Sequence, residues 1–185
     1  MSIENFIWDK QNQSVSWVYN GKVVKKRYED LNSSSPDLED NYIFISTGKD
    51  FRVDQVYYLS FEGEQIFTCD RVNGKVCWKY DNRLFEVGFK NLDSAEIYLN
   101  NDIVIVVIAT NPADKILKGY ALDGKLLFEI NPPNGYKFEY LSFIDNSPTV
   151  VCNGGNINAD AYGRSEFHFK IDTKTGVLEK IGLAY

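Results

Sequence analysis

The sequence predicts an all-β protein: a propeller-like array of about three and a half four-stranded antiparallel units, not closed into a ring. Three observations carry this. A glycine turn recurs at Gly21, Gly74, Gly124 and Gly176, spaced 53, 50 and 52 residues apart, and a fixed period of this size marks stacked structural units. The chain is rich in aromatics (12 Tyr, 12 Phe, 3 Trp) and poor in alanine, which favours strands over helices. No stretch shows a 3.6-residue apolar period of helical length.

Each glycine turn lies between two runs of strand character. The first unit, about 1–30, is short: Phe6–Trp8, Ser14–Tyr19, the turn, then Lys22–Arg27. The second, about 41–81, reads Tyr42–Ser46, Val53–Leu59, Gln65–Arg71, the turn and Lys75–Tyr80. The third, about 95–131, reads Glu96–Leu99, Ile103–Ala109, Leu117–Ala121, the turn and Lys125–Ile130. The fourth, about 139–185, reads Tyr140–Ile144, Thr149–Asn153, Glu166–Ile171, the turn and Val177–Leu183. Four antiparallel strands in about fifty residues is the blade of a β-propeller. Together the units make one β domain spanning 1–185.

Hairpin alternation assigns the buried faces. Phe67, Cys69, Val76, Trp78 and Tyr80 share one face, and Leu126, Phe128 and Ile130 repeat the pattern in the third unit. Lys25 and Lys180 stand where Trp78 and Phe128 do. A polar residue at a central unit's core position is the mark of a capping unit. A two-residue turn at Asn73-Gly74 would pair Val72 with Lys75 and Cys69 with Trp78, leaving Cys69 and Cys77 on opposite faces. The three cysteines, at 69, 77 and 152, therefore read as packing residues rather than a disulfide framework.

The strings Asp172-Thr173-Lys174-Thr175-Gly176 and Ala121-Leu122-Asp123-Gly124, with Trp78 and Phe128 four residues after their glycines, resemble the repeat of quinoprotein-type (PQQ-like) propellers, A-x-D-x-x-T-G-x-x-x-W. The resemblance implies a fold. It implies no cofactor, because no adjacent cysteine pair of the quinoprotein dehydrogenases is present and Lys180 replaces the tryptophan in the unit with the best D-x-x-T-G.

Net charge is −6, and the segment 28–40 holds Glu29, Asp30, Asp37, Glu39 and Asp40 with no basic residue. This balance argues against nucleic acid and for a basic protein partner; the alternative is a solvated loop. The start, Met1-Ser2-Ile3-Glu4-Asn5, is polar and acidic rather than leader-like, and the longest apolar run, 103–110, is too short for a membrane span. The expectation is a cytoplasmic protein without membrane contact. The single histidine, His168, excludes His-based metal clusters, and its alternation with Phe167, Phe169 and Ile171 points it outward beside Lys170. The loop GGNINADAYGR, 154–164, carries Asp160, Tyr162 and Arg164 as candidate partner-binding residues. No helix follows it, so it is not a phosphate loop. No P-loop, nucleophile elbow, HExxH or CxxC occurs.

These features point to a non-catalytic protein-binding protein with no cofactor. Its concrete form is a cytoplasmic immunity or inhibitor protein that neutralises a basic partner such as a toxin nuclease, with Glu29, Asp30, Asp37, Glu39 and Asp40 as the contacting carboxylates. The alternatives are a propeller-type assembly subunit, for which a homodimer would supply seven units, or a carbohydrate-binding or processing protein using Tyr136, Phe138 and Tyr140.

Overall fold

In the computed structural model, which describes residues 3–184, the chain is all-β, with seventeen strands in four antiparallel sheets. Two short 3-10 turns, Lys49–Phe51 and Leu99–Asn101, are its only helical segments among the described residues. It divides into two compact units, 1–88 and 89–185.

The first unit holds two sheets. Strands β1 (Glu4–Asp9), β2 (Ser14–Tyr19) and β3 (Lys22–Arg27) form a three-stranded meander. Strands β4 (Leu31–Asp37), β5 (Tyr42–Thr47), β6 (Gln55–Ser60), β7 (Gln65–Asp70), β8 (Lys75–Tyr80) and β9 (Arg83–Gly88) form a six-stranded one. They meet through a core of Val15, Trp17, Leu31, Ile43, Ile45, Leu59 and Phe61. Trp17 is sealed within it and donates its indole N–H to the Phe61 carbonyl at 2.6 Å. The β6–β7 turn fits beneath the β2–β3 ribbon because Gly63, at φ +85, has no side chain: a Cβ there would come within 2.7 Å of Val24.

The second unit also holds two sheets. One is β10 (Leu92–Tyr98), β11 (Ile103–Ala109), β12 (Lys115–Ala121) and β13 (Leu126–Ile130). The other is β14 (Lys137–Ile144), β15 (Ser147–Asn153), β16 (Glu166–Ile171) and β17 (Leu178–Leu183). Ile103, Ile105, Val107, Leu117 and Phe128 from one sheet share a core with Phe138, Leu141, Val150, Cys152, Phe167 and Phe169 from the other. Phe128 lies on the β16–β17 turn, where a Cβ on Gly176 would meet its ring at 2.7 Å.

A repeat of 61 residues underlies this order. Strands β1 to β7 map onto β7 to β13 without insertion: Glu4 onto Gln65, Ser14 onto Lys75, Leu31 onto Leu92 and Gln65 onto Leu126. Trp17 and Trp78 coincide, as do Gly63 and Gly124, and Phe6, Phe67 and Phe128. Bulges recur as well. The first strands of the four-stranded meanders slip at Leu31/Ser33, Leu92/Ser94 and Phe138/Tyr140. Meander β4–β7 carries the extra hairpin β8–β9, and β1–β3 repeats β7–β9, giving three meanders and a part.

The structure corrects several sequence expectations. Residues 31–37, inside the acidic segment, are strand β4, and β9 is an unforeseen strand. The Asn73-Gly74 turn is four residues long, since Asp70 pairs with Lys75 and its carboxylate caps the Asn73 N–H at 2.9 Å. Trp78 thus faces Phe67, not Cys69. Cys69 and Cys77 still lie on opposite faces, and none of the three cysteines is in a disulfide among the described residues. Tyr80 and Leu126, expected in the core, are exposed: Tyr80 sits at the end of β8, and a bulge between Gly119 and Tyr120 turns Leu126 outward.

Trp17→Ala is expected to lower the stability of the first unit by about 3–5 kcal/mol. It removes a large buried ring and orphans the Phe61 carbonyl. Denaturant unfolding measures this; a loss below 1 kcal/mol would contradict the packing described.

Candidate functional site

In an up-and-down sheet, alternate turns fall at opposite ends. The five acidic residues therefore do not form one patch. Glu29 and Asp30 make the β3–β4 turn, with Asp30 at φ +52. Asp37, Glu39 and Asp40 make the β4–β5 turn, where the Asp37 carboxylate accepts the Glu39 and Asp40 N–H groups at 3.0 and 2.9 Å. The seven-residue strand β4 holds the two groups roughly 20 Å apart.

The same alternation gathers carboxylates that the sequence left scattered. At the end of the six-stranded sheet that carries Asp37, Glu39 and Asp40 also lie the β6–β7 turn, with Glu62 and Glu64, and the β8–β9 turn, with Asp81. Six carboxylates share this end. The Lys79 ammonium pairs with Glu64 at 2.6 Å and holds its carboxyl below the ordinary range. The same end exposes apolar side chains, Leu38 at 61%, Tyr80 at 43% and Leu84 at 70%, with Tyr80 and Leu84 on opposite faces of the sheet. Alternation within one strand could not reveal this cluster; it requires the strand order. The β8–β9 turn places Asp81 and Asn82 at φ +49 and +58, the geometry a two-residue hairpin demands.

The opposite end is of mixed charge. There Glu29 and Asp30 border a cleft of about 190 Å³ with Thr47, Gly48, Asp54 and Gln55. A second cleft of about 340 Å³ adjoins it, lined by Lys10, Gln13, Asp30, Lys49, Asp50 and Phe51 among others. Behind them, Tyr57 donates its hydroxyl to Gln55 at 2.7 Å, and Gln55 donates to Asp70 at 2.9 Å. The Tyr28 ring packs tilted against Tyr57, centroids 4.9 Å apart, and burial pushes the Tyr28 hydroxyl up to about 12.

In the second unit, Asp160, Tyr162 and Arg164 sit together on the β15–β16 loop. The Arg164 guanidinium donates to Asp160 at 2.7 Å, holding that carboxyl below its usual value, and lies 5.1 Å from the Tyr162 ring, which is 85% exposed. The loop is internally braced: Asp160 also accepts the Tyr162 and Arg164 N–H groups. Of the proposed sugar-binding aromatics, Phe138 is buried, Tyr136 packs against Phe169, and Tyr140 alone is exposed, because the β14 bulge separates their faces. His168 lies on the face away from Phe167 and Phe169, as alternation places it, but is half-buried there with its Nδ1 enclosed.

One further ionisable group lies between the sheets of the second unit. Ser94, Glu96 and Tyr98 stand opposite Val107, Ile105 and Ile103, the row that faces the core. The Glu96 carboxyl accepts the Tyr98 hydroxyl at 2.6 Å, and burial raises its pKa.

No family model matches this chain, and no curated protein matches its sequence. Among solved structures, the chain is similar to the dihydro-heme d1 dehydrogenase NirN, at 9% identity and a TM-score of 0.47 over 94% of this chain. The aligned part is 43% of NirN, so the chain spans less than half of that protein. A protein of unknown function from Bacteroides caccae aligns at 10% identity and a TM-score of 0.34, over 96% of this chain and 72% of its own. Among the described residues no helix is long and apolar enough to cross a membrane.

Glu96→Gln is expected to stabilise the protein at neutral pH and flatten its pH dependence. With the folded pKa raised, the folded state retains the proton that the unfolded state releases. The wild type is therefore favoured at acid pH and loses that advantage as pH rises above the unfolded carboxyl range. Thermal unfolding between pH 4 and 8 reads this; a wild-type stability that climbs with pH in parallel with the variant's would refute it.

Proposed function

We propose that this chain is a non-catalytic protein-binding protein of the immunity or inhibitor type. It covers a basic partner, such as a toxin nuclease, with the acidic end of its six-stranded sheet and acts in the cytoplasm. The observation that carries this reading is the convergence of the β4–β5, β6–β7 and β8–β9 turns, which brings six carboxylates to the end of the sheet that also exposes Leu38, Tyr80 and Leu84. A nuclease must be cationic where it holds phosphates. Carboxylates steer such a surface into contact and fix its register, while apolar side chains among them supply the desolvated anchors.

The turns are suited to this. Asp37 spends its carboxylate on its own backbone and so holds Glu39 and Asp40 in a set geometry, which limits the entropy lost on binding. The Asp160–Arg164 loop offers a second braced surface, in the other unit, and is an auxiliary contact in this reading.

The test is a charge-neutralised variant, Glu39→Gln, Asp40→Asn, Glu62→Gln and Asp81→Asn together, assayed against the basic protein recovered with the wild type from its host. Affinity is expected to fall at least about tenfold, with a shallower salt dependence. Glu29→Gln with Asp30→Asn, at the other end of β4, should have much the smaller effect. Equal affinity and salt slope for the four-fold variant and the wild type would rule the reading out.

A further inference from the structure

Strand β1 is the 61-residue counterpart of β7, but it lacks one of that strand's two neighbours. On one edge the two strands are alike. Ile7, Trp8 and Asp9 pair with Ser16, Val15 and Ser14 of β2, as Thr68, Cys69 and Asp70 pair with Cys77, Val76 and Lys75 of β8. On the other edge they differ. There β7 pairs with β6, whose Gln55, Val56, Tyr57 and Tyr58 stand opposite Asp70, Cys69, Thr68 and Phe67. Strand β1 instead ends its three-stranded sheet. The bulge that follows Glu4 in β1 has its counterpart after Gln65 in β7, and β6 pairs across it.

The open edge keeps the chemistry of the paired one. Asn12 donates its backbone N–H and its side-chain amide to the Asp9 carboxylate at 3.0 and 2.7 Å, and Asn73 does the same to Asp70 at 2.9 and 2.8 Å. Asp70 accepts one bond more, from the side-chain amide of Gln55 at 2.9 Å. Asp9 has the same capacity for a third donor and receives none among the described residues. Burial differs in the same sense. Trp8 is 43% and Ile7 56% exposed, whereas Cys69, in the place of Trp8, is 2% exposed, and the Thr68 hydroxyl, in the place of Ile7, is enclosed. Edge strands are commonly blunted by charge or proline, as β3 is by Lys22, Lys25, Lys26 and Arg27 and β4 by Pro36. Along β1 the charges stand at the ends, Glu4 before and Asp9 and Lys10 after, and Asn5-Phe6-Ile7-Trp8 between them is uncharged. With both signs present, backbone pairing and the Asp9 acceptor select what pairs here, rather than net charge.

We propose that the open edge of β1 is a docking site for an extended segment of a partner protein, which adds antiparallel to β1 as β6 adds to β7. The segment has the chemistry of β6: an amide side chain opposite Asp9, and β-branched or aromatic residues opposite Trp8 and Phe6. A second copy of the chain has no such strand to offer, because β6 and its counterpart β12 are interior strands paired on both edges. The site does not depend on the acidic turns.

The probe is a synthetic peptide of this chain's own residues 53–62, which carry β6, added to the full-length protein. Amide hydrogen exchange along β1 is expected to slow at least about fivefold at saturating peptide, with no change along the edge strand β17. The peptide with Gln55→Leu should protect β1 markedly less, since it leaves the Asp9 acceptor unmet. Ile7→Lys in the protein puts a charge on the exposed edge and should abolish the protection while shifting the melting temperature by less than about 2 °C. In the native host, photo-crosslinking benzoyl-phenylalanine at position 7 is expected to give one discrete adduct with another protein, competed away by the β6 peptide and not by its Gln55→Leu form. The same group at Val23, which is 76% exposed at the far edge of the same sheet, should give none. The adduct should persist in the four-fold acidic-end variant, which separates this site from the one proposed above. No protection of β1, equal protection by the two peptides, protection that survives Ile7→Lys, no adduct at position 7, an equal adduct at position 23, or an adduct only to a second copy of the chain would overturn the proposal.

Discussion

The packing of these sheets depends on one constraint: a turn without a side chain must lie where the neighbouring sheet presents a bulky one. In the first unit Gly63 lets the β6–β7 turn slide under Val24, while Trp17 fills the space beside it and satisfies the Phe61 carbonyl. In the second unit Gly176 does the same under Phe128. Both glycines have positive φ, +85 and +75, so the turn geometry and the close approach select the same residue. Without this fit, two twisted sheets could not bring their aromatic rows into contact over the full strand length, and the cores that bury Trp17 and Phe128 would open to water.

From that packing follows the position of every surface feature. Strands of near-constant length alternate direction, so turns sort themselves to two ends, and each end acquires a chemical character that no single segment possesses. One end of the six-stranded sheet collects carboxylates together with exposed leucine and tyrosine. The other collects the braced β5–β6 loop, two clefts and a mixture of charges. The bulges at Leu31/Ser33, Leu92/Ser94 and Phe138/Tyr140 add a second sorting, because one extra residue exchanges the faces of all that follow. This is why Phe138 is core and Tyr140 is surface although they are two residues apart.

Much of the fold was legible in the residues. Alternating apolar runs located most strands, and Asn-Gly and Asp-Gly pairs located the turns, because both signals are local and act through backbone geometry alone. The strand β4 escaped notice because Asn32-Ser33-Ser34-Ser35-Pro36 has the composition of a loop. It is a strand because Leu31 is buried, Ser34 donates to the Phe44 carbonyl at 2.7 Å, and Ser33 and Ser46 share a hydrogen bond. The 61-residue repeat was hidden behind the glycine spacing: Gly124 and Gly176 close the third-to-fourth strand turn of their meanders, whereas Gly21 and Gly74 close β2–β3 and β7–β8, so the near-equal intervals mix different positions of the structural unit. The Trp17/Trp78 and Leu31/Leu92 coincidences carried it, at too few positions to stand out in one sequence.

The sequence by itself determined that the chain would be all-β, with short strands, tight glycine turns and an acidic balance, because alternation and left-handed turn residues impose those outcomes on any chain that carries them. Only the tertiary structure decided which acids become neighbours. Glu39, Glu62 and Asp81 are far apart along the chain and share an end solely because three hairpins of one sheet turn there. It also decided that Phe51 is an exposed ring rather than part of a core, since its burial rests on long-range packing and its loop is held by hydrogen bonds from Asn32 and Arg71 and by the one that Gly48 donates to the Asp30 carbonyl. Side-chain periodicity is a local property, whereas adjacency belongs to strand order, and strand order is set by which faces can exclude water together.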